Sequence, residues 1–290
     1  MDSRLSPLQG IHALEAFAQR LLLVIRQILD APPLRRGGED ALALMALCFT
    51  RREAEHLRSI LALVRAGQYR DAVLIARSMI EGVALLTWAA REPSTRPALW
   101  RKFAWIENWR LMQEQVRSGE LLGPLERNTV EEQVLKFGDH FFSRAAQDAL
   151  RAGASLPADP YWPYWHEGKS VAKIFQELRG VPLYQSVYGA TSRWIHWSPR
   201  GLGASTGGDG DHPDGEAGVP ECAAAALAAG FQTALETATR LDAHLHLGFA
   251  GRLSELGDEY VRHLSGDGFD SLRMAIGWMQ TPTLREGRDA

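Results

Sequence analysis

The chain has 290 residues, 46% of them hydrophobic and 23% charged, with a formal net charge of −3. That is globular composition, with chain enough for one large domain or two small ones. The charge balance excludes bulk recruitment of nucleic acid or anionic lipid but allows a local basic patch, and 2 cysteines exclude a disulfide framework and a paired-thiolate metal motif.

Cys48 and Cys222 lie in Ala/Leu-rich sequence and are expected to be buried small hydrophobes. The N-terminus, MDSRLSPLQG, has no basic segment leading into an apolar run, so no secretory signal is expected. Arg51 and Arg52, or Arg77 and Glu81, interrupt the apolar stretches before they reach the roughly 20 residues of a membrane helix. A cytoplasmic location without membrane contact is expected. Arginine far outnumbers lysine and alanine is abundant, as in proteins of GC-rich bacteria.

Ser6-Pro7 reads as an N-cap followed by proline at the first helical position. Leu14, Phe17, Leu21, Ile25 and Ile28 keep helical spacing, and Ala31-Pro32-Pro33 ends this first helix. A second helix is expected over about 40–66, with Leu57, Ile60, Leu61 and Val64 facing inward and Gly67 as its C-terminal stop. The short gap to the third helix, 71–90, predicts an antiparallel hairpin over about 40–91. A fourth helix over 94–118 carries Trp100, Phe103, Trp105, Ile106, Trp109 and Met112. A fifth is expected between about 125 and 151, where TVEE at 129–132 fits a capping box.

The loop 154–167 holds Tyr161, Trp162, Tyr164 and Trp165. It either folds back and buries these rings or forms a stacking wall over a pocket. Short helices are expected over 170–178 and 183–197. Residues 201–219 are Gly/Asp-rich and almost free of apolar side chains, which predicts a flexible loop. A long alanine-rich helix, about 221–249, and a helical tail over 252–280 complete the chain. No alternating strand pattern or tandem repeat is present. The fold class expected is all-α, a single bundle domain with its core over about 40–250.

The third helix is apolar almost throughout yet carries Arg77 and Glu81 one turn apart. A buried ion without a partner costs several kcal/mol, so a polar group should meet this pair. Tyr184, Tyr188, Ser192 and His196 recur every four residues and form one slowly drifting ridge on a helix. The two helices are expected to face each other, with Ser192 or His196 bonded to Arg77 or Glu81.

The combination ARSMIE (76–81), WHEGKS (165–170) and YGATSRWIH (188–196) resembles a widespread bacterial helical family of unknown function, family 5677, over roughly 44–201. The resemblance implies an all-helical fold with an Arg/Glu pair on one helix and a Ser/His pair on another, which fall here on Arg77, Glu81, Ser192 and His196. It supplies no activity. The fold type is also similar to the HEPN bundles, many of them RNases of toxin and antiphage systems. Those nucleases place a histidine four to six residues beyond an arginine, whereas Arg193 and His196 have two between them. Arg51–His56 and Arg240–His246 do fit, but about two or three such matches arise by chance, so the spacing carries no weight.

Other chemistries fit less well. A di-iron site needs two Glu-x-x-His units, and only Glu53–His56 is present; with His244 and His246 it reads as solvated surface. A divalent metal at Glu81 and His196 is a minor option, and no cofactor is expected. A triad of Ser192, His196 and Glu81 lacks a nucleophile elbow and oxyanion donors. Three readings remain: an RNA-acting hydrolase of bacterial defence or stress response, a small-molecule-binding or interaction module, and a polar network that only fixes helix register. In the first, His196 is the acid/base, Glu81 and Ser192 assist it, and Arg77 or Arg193 holds a phosphate. In the second, the same residues with Tyr184, Tyr188 and Trp165 orient the ligand. Homodimerisation is expected from fold analogy only.

Overall fold

Helical periodicity becomes nine α-helices and one 3₁₀ turn in a computed structural model that describes residues 7–31, 40–119, 123–166, 168–180 and 219–266. The helices are α1 (Pro7–Leu29), α2 (Ala41–Arg65), α3 (Tyr69–Ala90), α4 (Arg96–Ser118), α5 (Pro124–Phe137), α6 (Arg144–Arg151), α7 (Val171–Glu177), α8 (Val219–Leu245) and α9 (Ala250–Gly266), with the 3₁₀ turn over Gly138–Phe141. Among the described residues the extended pairing is confined to an isolated bridge between Phe142 and Tyr161. The chain divides into two compact units, Met1–Trp88 with Val171–Ala290, and Ala89–Ser170.

The first unit is built around α8, which packs on α2 and α1, with α9 against α8 and α1. Its alanines explain the role: Ala223, Ala226, Ala234 and Ala238 are fully enclosed, and small side chains let neighbouring helices approach closely. Asp40 caps α2 by accepting from the Leu42 and Ala43 amides at 2.9 and 3.0 Å. Gly67, at φ +74°, turns the chain into α3. Built as an alanine, Gly82 of α3 would meet Phe49 and Glu53 of α2, which is the expected antiparallel hairpin. Leu57, Ile60, Leu61 and Val64 are buried as expected. On α9, Tyr260 stacks on Phe231 at 4.1 Å, and Phe17 meets both rings edge-on. Trp88 Nε1 donates to Glu177 at 2.6 Å and so ties α7 to the end of α3.

By length and composition α3 could cross a membrane, with a mean hydropathy of 1.5 over its most apolar window. The two charges therefore do not interrupt it as the sequence implied. However, 61% of that window is buried inside the protein, the behaviour of a core helix.

The second unit departs from the expected elements. The anticipated fifth helix is α5, the 3₁₀ turn and α6, because the helix tightens at Gly138 and restarts where the Ser143 hydroxyl caps the Ala146 amide at 3.3 Å. Thr129 is no cap: α5 starts at Pro124 behind Gly123, and residues 129–132 are helix interior. The aromatic loop folds back onto this unit. Ser143 N donates to the Pro160 carbonyl at 2.7 Å and Trp162 N to the Phe141 carbonyl at 2.8 Å. Arg110 of α4 grips Asp159 at 2.8 Å and the carbonyls of Tyr161 and Trp162 at 3.2 and 2.8 Å. Tyr161 lies flat against Phe142 and edge-on to Trp109. Burial, with the nearby Asp159 charge, pushes its hydroxyl above the usual tyrosine value.

Candidate functional site

The polar residues of α2 and α3 follow from where each helix turns its faces. On α3, Asp71 and Ser78 are exposed and Leu74, Arg77, Glu81 and Leu85 beside them are half-buried, while Ala72, Val73, Ala76, Met79, Ile80 and Val83 are enclosed. Arg77 and Glu81 therefore lie on the outer strip of α3 and not at its buried centre. This corrects the expectation of a fully enclosed pair: the helix is apolar on most of its circumference, and the charges mark the part that is not.

Trp165 is 9% exposed and stands edge-on to His166 at 5.7 Å, while Tyr164, 56% exposed, lies flat on His166 at 5.1 Å. Three of the four loop rings are thus at least half-buried, and Tyr164 faces solvent. Tyr184, Tyr188, Ser192, Arg193 and His196 lie outside the described residues, as does the Gly/Asp-rich stretch up to 218.

A carboxylate that sequence reading placed on the surface is instead the most buried acid of this region. Glu53 is 3% exposed, between α3 and α8. The place where a Cβ on Gly82 would sit is 2.9 Å from its Oε1, so glycine is what lets the carboxyl reach α3. Its Oε2 is enclosed and has no hydrogen-bond partner among the described residues. Burial pushes its pKa up to about 8, against an opposing hydrogen bond with Thr233. The Thr233 hydroxyl also lies 2.9 and 3.1 Å from the Ala229 and Gly230 carbonyls, to which it can donate instead. Thr50 and Thr237 extend the seam, each donating to backbone carbonyls.

One turn on, His56 is half-buried with an unpartnered Nδ1 among the described residues, and desolvation lowers its pKa ahead of the nearby Arg52 charge. The reading of Glu53–His56 as solvated surface is therefore wrong for the acid, because position 53 continues the inward stripe of Thr50, Leu57 and Ile60. His244, half-buried, pairs through Nε2 with Asp40 at 2.7 Å; His246, exposed, lies past the end of α8 at φ +52°. Arg240 is engaged by Glu236 at 2.8 Å. Cys48 is exposed and Cys222 half-buried, which corrects the buried reading for the first. Among the described residues no three His, Cys, Asp or Glu side chains converge as a metal site.

Residues 43–213 match the model of a family of unknown function, DUF5677, which spans more than half of the chain. The chain belongs to DUF5677. The DUF5677 match takes in Glu53, Arg77, Glu81, Trp165 and the whole 184–196 ridge, and leaves out α1, α8 and α9. No curated protein and no solved structure matches this DUF5677 member.

Proposed function

We propose that this protein is an RNA-acting hydrolase of phosphodiester bonds, working in the bacterial cytoplasm in defence or stress response. In this reading Arg77 holds a phosphate through paired guanidinium hydrogen bonds. His196 moves the proton at the reacting oxygen, Glu81 orients the imidazole, and Ser192 and Arg193 complete the polar set. The observation that carries the reading is the Arg77–Glu81 pair: two ionisable residues one turn apart on the half-buried strip of an otherwise apolar helix. A few polar groups placed against apolar walls are how ligand sites are commonly built. The family match spans every residue named here and supplies no activity.

The test is incubation of the purified protein with total RNA, with and without a chelator. Cleavage that Arg77→Ala abolishes is the expected result. Intact RNA under both conditions would remove the reading for free RNA.

A further inference from the structure

The outer face of α2 carries an excess of one sign of charge. On other helices several exposed arginines are matched by an acid one turn away: Arg26 with Asp30, Arg117 with Glu114, Arg127 with Glu131 and Arg151 with Asp148. Such pairing leaves little net field. The exposed residues of α2 are Cys48, Arg51, Arg52, Glu55, Arg58, Ser59, Ala62 and Arg65, so four arginines face one glutamate in a chain whose net charge is −3. Glu55 is taken by Arg52 at 3.1 Å and Arg65 reaches Glu15 at 3.4 Å. Arg51 and Arg58 have no ion pair among the described residues.

These two are seven residues apart, so they project from the same side of the helix, two turns and about 10 Å apart along its axis. α2 is also rigidly seated. Asp40 caps its start, and the opposite face is buried over Leu57, Ile60, Leu61 and Val64. The backbone positions of Arg51 and Arg58 are therefore held at fixed spacing on a stiff rod, from which their side chains reach outward. The neighbouring exposed positions choose between partners. A helix that lies on a bilayer needs large apolar side chains beside its cations, and none of the exposed large hydrophobics is on α2. Small and polar neighbours with evenly spaced arginines fit a repeating phosphate backbone instead.

We infer that Arg51 and Arg58 on the outer face of α2 form a docking track for the phosphate backbone of RNA. This deepens the reading of the protein as RNA-acting and rests on it. The track contributes binding, and no chemistry is assigned to it.

The test uses the full-length protein and a fluorescent single-stranded 2′-O-methyl RNA oligomer, which cannot be cleaved by its own 2′-hydroxyl. Binding is measured from 50 to 300 mM salt for wild type, R51Q/R58Q and R51K/R58K. The neutral double variant is expected to bind roughly tenfold more weakly at low salt. Its plot of log affinity against log salt should be shallower by about 1.4, about 0.7 for each lost phosphate contact on a single strand. The lysine variant should keep the wild-type slope. Both positions are exposed, so melting temperatures should be unchanged. Equal slopes for wild type and R51Q/R58Q would overturn the track, and if wild type still cleaves RNA the hydrolase reading stands without it. A slope change with no cleavage by wild type would support the track and sink the hydrolase reading. Arginine-dependent binding to phosphatidylserine vesicles or to polyglutamate, with none to the RNA oligomer, would also overturn it.

Discussion

Replacing Glu53 with glutamine should change how stability depends on pH. The acid has an ordinary value of 4.5 and is pushed up to about 8 in the folded chain by burial. A native state that holds the proton more tightly than the unfolded state has the full stability of that group below about pH 4.5. It then loses stability as pH rises towards 8, at about 1.4 kcal/mol per pH unit. Between pH 5 and pH 7.5 wild type should lose about 3 kcal/mol from this group alone. Glutamine has nearly the same shape and does not ionise. Urea unfolding of wild type and E53Q at several pH values gives the comparison, and subtracting the two removes every other titrating group. At pH 5 the glutamine variant should be equal or less stable, because its amide hydrogens meet the same acceptor-poor seam. By pH 7.5 the difference should have moved by about 3 kcal/mol in favour of glutamine. A difference that stays flat from pH 5 to pH 8 would mean that Glu53 is solvated or compensated, and the buried seam between α2, α3 and α8 would be wrong.

Two further outcomes follow from the packing. Gly168 has φ +71°, and a Cβ there would fall 2.5 Å from the Trp162 ring; G168A should destabilise the aromatic loop by about 1–3 kcal/mol, seen as earlier proteolysis within 152–168 and a changed tryptophan emission. Cys48 should react with a thiol reagent in the native protein far faster than Cys222, since the first is exposed and the second half-buried; equal rates would place Cys48 under cover.

What the sequence revealed depended on how local the controlling physics was. A stop that acts within a turn was legible, since Gly67 ends the second helix where its chemistry required, but the cap read at Thr129 fell inside a helix. The inward stripe of α2 was legible from apolar spacing, yet Glu53, which belongs to the same stripe, was read as surface because acids are usually exposed. The positional signal outweighed residue type there. Gly82 on α3 was the missing clue, and its meaning appears only when α2 and α3 are paired. The Arg110 clamp joins residues about 50 apart in sequence and leaves no periodic trace. The central role of α8 was hidden for a similar reason, since alanine reads as helix former and spacer alike. For the site, the apolar helix with its charge pair was found, but its half-exposed placement depends on which neighbours cover α3, and that is a tertiary property.

The most direct measurement of the central claim is a side-by-side assay of His196→Ala and wild type for RNA turnover, RNA affinity and melting temperature. Turnover of the variant should fall by at least about a hundredfold while affinity and melting temperature stay close to wild type. Unchanged turnover, or a loss that merely tracks a lowered melting temperature, would contradict it.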